Sequence, residues 1–118
     1  MLEIVEKYVL PGTSTDTLNQ ICHEHIVHNQ NATSACLGYR GFPKSICTSV
    51  NQVVCHGIPS EKKILRSGDI INIDVTPILN GWHGDTSRMF HVGKVSLKAQ
   101  KLIETTYEAM MRGIEMAK

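Results

Sequence analysis

Residues 72–87 read NIDVTPILNGWHGDTS and place Asp74 and Asp85 on either side of Asn80-Gly81. Both Asn and Gly tolerate positive φ, so an Asn-Gly pair between two strand-like runs predicts a hairpin with a tight type I′ turn. With a two-residue loop, Leu79 faces Trp82 and paired residue numbers sum to 161. Asp74 then lies opposite Ser87, and Asp85 opposite Thr76. Residues two apart in a strand share a face. Asp74 and Asp85 are therefore diagonal neighbours on one side of the sheet, roughly 7–8 Å apart or less. The register assumes no bulge at Gly84. The same face carries Asn72, His83 and Ser87. The opposite face carries Ile71, Ile73, Val75, Leu79, Trp82 and Phe90, which predicts a core.

Two ionised carboxylates this close repel each other and raise one another's pKa. A cation between them removes the conflict. Two divalent ions ~3.5–4 Å apart, bridged by carboxylates, form the clamp used for hydrolysis. The competing reading is a solvated polar face with two unrelated aspartates, although strands are depleted in Asp.

The rest of the chain frames this hairpin with helices. LEIVEKYV is helical in pattern, with Ile4, Val5 and Tyr8 on one side, and stops at Pro11-Gly12. Ser14 or Thr15 is the expected N-cap of a second helix, along which Leu18, Ile21, Cys22, His25 and Ile26 form an apolar stripe. ATSACLGYRGFPKS reads as a structured loop, and ICTSV and QVVCHGI as short strands. SEKKILRSGD is a polar connection. From about Ser96 to Lys118, Ala99, Leu102, Ile103, Thr106, Met110 and Ile114 repeat at helical spacing. Met110, Met111 and Met116 on that helix read as core filler or an interface. Cys22, His25 and His28 share a helix face, but no fourth metal ligand is evident, so a half-polar helix face is the better reading. No internal repeat or low-complexity segment is present. Strands clustered between helices argue for an α+β fold.

Composition bounds the function classes. The 118 residues are 42% hydrophobic and 19% charged, as expected for one globular domain. Net charge is +1 and the basic residues are scattered along the chain, among them Lys62, Lys63, Arg66, Lys98 and Lys101, so no nucleic-acid footprint is predicted. No apolar run approaches the ~18–20 residues of a membrane span. The N-terminus does not read as a secretory signal. Cys22, Cys36, Cys47 and Cys55 match no zinc spacing and read as free, mostly buried cytoplasmic thiols.

Residues 36–59, CLGYRGFPKSICTSVNQVVCHGIP, and residues 68–90, GDIINIDVTPILNGWHGDTSRMF, resemble type I methionine aminopeptidases over essentially the whole chain. That resemblance implies the first half of the pita-bread fold. It is an antiparallel sheet with an Asn-Gly hairpin packed against amphipathic helices, with residues 1–118 as the N-terminal part of one catalytic domain. It implies removal of the initiator methionine from nascent polypeptides by two divalent ions, drawn from Co, Mn, Fe or Zn. Asp74 would bind one metal and Asp85 would bridge both. His56 would be catalytic and contact substrate. Cys36, Tyr39, Phe42 and Cys47 would line the methionine pocket, with Thr76 beside the metals. Asn51 and Val53 match positions that hold a monovalent cation. Phe42 stands where a tyrosine is common, and Arg40 where some members have a histidine.

By the same resemblance, three further metal ligands and a second histidine belong to the other half of the fold. The chain reads as cut at both ends, and alone it is expected to be inactive. The complete enzyme is expected to be a cytoplasmic monomer, with the ribosome as a further partner, and the isolated half to self-associate. The alternative is a non-catalytic creatinase-like interaction module.

Overall fold

Ser14 opens the helix that organises the core. Its hydroxyl accepts a hydrogen bond from Thr17 N–H at 3.0 Å, capping α2 (Thr15–Glu24). Leu18 and Cys22 lie one turn apart, and Ile26 follows in a π-helical turn at His25–Asn29. All three are fully buried against the sheet. A short α1 (Leu2–Glu6) precedes α2 and buries only Val5, leaving Ile4 and Tyr8 exposed. The computed structural model describes residues 1–117, so Lys118, placed by the sequence at the end of the last helix, lies outside the described residues.

The strands form two antiparallel three-stranded sheets, so the expected α+β class holds. One sheet has the order β2 (Cys47–Val50), β3 (Ile70–Val75), β6 (Thr86–His91). The other has the order β1 (Thr33–Ser34), β4 (Pro77–Leu79), β5 (Trp82–His83). The hairpin crosses from one sheet to the other. Its pairing is the predicted one throughout, with Leu79 opposite Trp82, Val75 opposite Thr86 and Asp74 opposite Ser87. Gly84 N–H donates to Pro77 O at 2.9 Å, so no bulge shifts the register.

Ile71, Ile73 and Val75 alternate inward along β3 and meet α2 in the core, as the two-residue period requires. Phe90, opposite Ile71, joins them. Trp82 and Leu79 depart from the predicted core face, being 83% and 47% exposed. Beyond Val75 the hairpin joins the second sheet, and these two residues lie outside the buried core. QVVCHGI is not a strand. Asn51 turns the chain at φ 54°, and the segment that follows runs exposed, with Val54 92% accessible.

The last helix, α3 (Leu97–Met116), is capped by Ser96 accepting from Ala99 N–H. It buries none of its residues, so its three methionines are not core filler. Of the four free cysteines, Cys22 and Cys47 are buried, Cys36 is half-buried and Cys55 is exposed. Among the described residues, no helix is long and apolar enough to cross a membrane.

Candidate metal centre

β3 carries Asp74 on the face opposite the core, paired with Ser87 on β6 and with Cys47 on β2. Asp85 lies just before β6, and the register puts it opposite Thr76. The two carboxylates are therefore diagonal neighbours. One oxygen of Asp74, Oδ1, is buried without a hydrogen-bond partner. A buried polar atom left unpaired costs free energy comparable to a lost hydrogen bond. The carboxyl pKa of Asp74 is raised by burial first and by the charge of Asp85 second, while His56 pulls it down. Among the described residues, the ion pairs are Lys44–Asp16, Arg88–Glu6 and Arg112–Glu108, and none involves Asp74 or Asp85.

His56 reaches this face from the turn at residues 55–57. The residue adopts left-handed backbone, φ 55°, which is uncommon for a side chain larger than Gly. Gly57 holds the turn in place. Its carbonyl accepts from Thr48 N–H at 2.8 Å, and its N–H donates to Ser49 Oγ at 3.2 Å. A Cβ on Gly57 would come within 2.1 Å of the Thr48 carbonyl oxygen, so no larger residue fits against β2 there.

The loop from Ser34 to Ser45 closes the other side. Ser34 Oγ donates to Ser45 O at 2.7 Å and accepts from the N–H groups of Cys36 and Leu37. Ala35 N–H donates to Thr76 O at 2.9 Å, fastening the loop to the hairpin beside Asp74. Its far end is tied to α2, where Asn19 Oδ1 accepts from Ser45 N–H and buried Asp16 pairs with Lys44. The ties from Ser34 to Ser45, Ala35 to Thr76, Asn19 to Ser45 and Asp16 to Lys44 join residues far apart in the chain, which local sequence pattern does not reveal.

A cleft of about 420 Å³ lies between the loop and β2. It brings together Cys36, Tyr39, Phe42, Cys47 and His56, five of the residues expected to contact substrate. Thr76 is not in its lining and sits instead in the hairpin, opposite Asp85. Arg40, Pro43 and Ile58 also line the cleft and were not expected there. The signal for Arg40 was its place between Gly38 and Gly41. It adopts φ 47°, and its guanidinium lies 5.5 Å from the Tyr39 ring centroid. The Cys36 and Cys47 thiols both line this cleft. Burial, then the negative charge around it, pushes the Cys47 thiol up to about 12. Burial, then Asp74, raises that of Cys36.

Asn51 and Val53 lie outside the cleft. Asn51 Oδ1 accepts from Ile70 N–H at 3.1 Å and its amide donates to Asp69 at 2.8 Å, so that side chain already closes the β2–β3 connection. Among the described residues, no three of His, Cys, Asp and Glu gather as a metal cluster. The carboxylate pair fits a cation for a specific reason. It supplies hard oxygen donors, one of them buried and unpaired, and among the described residues neither carboxylate forms an ion pair.

Comparison with known proteins finds relatives along the whole chain. The chain is 53% identical over its 118 residues to methionine aminopeptidase of Escherichia coli (strain K12), of which it covers 45%. The crystal structure of methionine aminopeptidase from Rickettsia prowazekii superposes with a TM-score of 0.93 at 57% identity, over 96% of this chain and 45% of that one. The enzyme from Thermotoga maritima gives a TM-score of 0.93 at 31% identity, over 99% of this chain and 47% of that one. The chain thus has the pita-bread architecture of these neighbours, and spans about half the length of the relatives it matches. The family model for metallopeptidase family M24 matches residues 1–118. With a carboxylate pair on the sheet face and a family match along its whole length, the chain belongs to metallopeptidase family M24.

Proposed function

We propose that residues 1–118 form the N-terminal part of a catalytic domain that removes initiator methionine from nascent polypeptides in the cytoplasm. The observation that carries this reading is the buried, unpaired Oδ1 of Asp74 beside Asp85, at the edge of an apolar cleft. Asp74 would hold one divalent ion and Asp85 would bridge two. Their oxygens suit Mn, Fe, Co or Zn. Such ions, when bound, polarise a scissile carbonyl and lower the pKa of water.

The chain's own groups would do the rest. The thiols of Cys36 and Cys47 and the rings of Tyr39 and Phe42 accept a methionine side chain, whose thioether packs well on aromatic edges. His56, held at the rim by the Gly57 turn, hydrogen-bonds the substrate amide and the charge that develops beside it. Thr76 presents its hydroxyl next to Asp85. The carbonyls of Asn51 and Val53 are candidates for a monovalent cation. Two carboxylates are few ligands for a dinuclear site, so this chain is expected to hold metal weakly and to be inactive alone. The complete enzyme is expected to act as a monomer, with the ribosome as a partner, and the 118-residue chain to self-associate through its exposed apolar α3.

Isothermal titration with Mn²⁺ tests the reading. Heat of binding in the parent chain should vanish in Asp74→Ala and in Asp85→Ala. Equal heats in all three would overturn it and favour the second reading, a non-catalytic interaction module.

A further inference from the structure

We infer that Arg40 is a specificity-determining residue, reading an acidic side chain at the third position of a peptide whose methionine enters the cleft. The inference rests on the proposed methionine pocket and adds a selection that the pocket itself does not make. The cleft between the 34–45 loop and β2 is lined mainly by apolar, aromatic and thiol groups. Among the described residues of that lining, Arg40 is the one lysine or arginine, and no carboxylate balances it. The ion pairs among the described residues use Lys44, Arg88 and Arg112 instead. An arginine carries a permanent positive charge and five N–H donors in a planar fork that matches a carboxylate.

The loop holds this cation in place. Residue 40 lies in the left-handed region, at φ 47° and ψ 32°, where glycine fits without strain. The other non-glycine residues with positive φ are asparagines and His56, types that favour this region, and Arg40 is the exception. Such outliers cluster at positions that clamp ligands. Backbone hydrogen bonds fix the turn. Tyr39 N–H donates to Cys36 O at 3.0 Å, Gly38 N–H to Phe42 O at 2.8 Å and Phe42 N–H to Tyr39 O at 2.9 Å. The guanidinium lies 5.5 Å from the Tyr39 ring centroid, within cation–π range. Its charge is thus anchored on the aromatic wall of the cleft, and the residue is exposed to an incoming ligand.

The alternation of side chains sets which substrate residue meets it. In an extended peptide the first and third side chains point the same way, about 6–7 Å apart, and the second points to the other side. With methionine against Tyr39 and Phe42, the third side chain is directed to the same wall, where Arg40 stands between those two residues in the chain. An aspartate or glutamate at that position finds an unpaired cation. A glutamine has the same shape but lacks the charge.

NMR titration of the 118-residue chain tests this, read at the amides of Gly41 and Ile58 in the cleft lining. EDTA keeps the outcome independent of metal binding. The probes are the amidated peptides Met-Ala-Glu-Ser, Met-Ala-Gln-Ser and Ala-Ala-Gln-Ser. At low salt the glutamate peptide should bind about two- to fivefold more tightly than its glutamine counterpart, as expected of an exposed ion pair. That ratio should shrink as salt screens the charge. Arg40→Gln should bring the ratio to about one, and Lys62→Gln, at a different cleft, should leave it unchanged. Equal affinity for the glutamate and glutamine peptides, or a ratio that survives in Arg40→Gln, would overturn the inference and leave the methionine pocket standing. A methionine peptide that binds no better than the alanine one, or no binding at all, would overturn that pocket and the inference with it.

Discussion

Replacing Gly57 by Ala tests how the fold places His56. The added Cβ would stand 2.1 Å from the Thr48 carbonyl oxygen and 2.8 Å from its carbon. Ordinary contact begins near 3.4 Å, so the turn must retreat by about 1.3 Å. That movement stretches the 2.8 Å bond from Thr48 N–H to Gly57 O to about 4 Å, beyond hydrogen-bond range. The 3.2 Å bond from Gly57 N–H to Ser49 Oγ is lost with it. Two hydrogen bonds contribute about 1–3 kcal/mol together. Crowding against an unyielding backbone adds roughly 1–3 kcal/mol. The expected destabilisation is therefore about 2–6 kcal/mol, a large part of the ~5–15 kcal/mol that holds a domain of this size. Urea denaturation followed by circular dichroism measures it, with complete unfolding as the upper limit. A loss below about 0.5 kcal/mol would refute the reasoning, because it would mean that the 55–57 turn is not seated on β2.

Other outcomes follow from the same geometry. The Asp74 pKa is raised in the folded chain, so its ionised form opposes folding at neutral pH without metal. In EDTA, Asp74→Asn should melt higher than the parent at pH 7. The gap should close as pH falls from the raised folded value through the unfolded value near ~3.9, and should reverse with Mn²⁺ at pH 7. A gap that widens on acidification would contradict the sign of the shift. Trp82 is 83% exposed, so its emission should match indole in water and be quenched freely by acrylamide; a blue-shifted, protected signal would restore the core-face expectation. Cys22 and Cys47 have thiols held up to about 12 by burial. Iodoacetamide at pH 8 should therefore label exposed Cys55 well ahead of both, as read by mass spectrometry of peptides.

Several features were legible from sequence because they are local. The Asn80-Gly81 turn dictates a two-residue loop, and strand pairing then has no freedom. The register that sets Asp74 opposite Ser87 was readable for that reason. Ser14 as a cap and the stripe from Leu18 to Ile26 follow from helical geometry alone. The expected cleft residues Cys36, Tyr39, Phe42, Cys47 and His56 came from resemblance, and the folded chain does bring those five together.

Periodicity alone does not set burial. It put Trp82 and Leu79 on a core face, yet burial depends on what covers a strand, and both side chains are exposed at that end of the hairpin. It made a strand of QVVCHGI, whose apolar residues instead run exposed after the Asn51 turn. Local stereochemistry and side-chain alternation were thus written into the sequence itself. The buried Asp74 oxygen and the seat of Gly57 on β2 exist only once segments distant in the chain exclude water from one another.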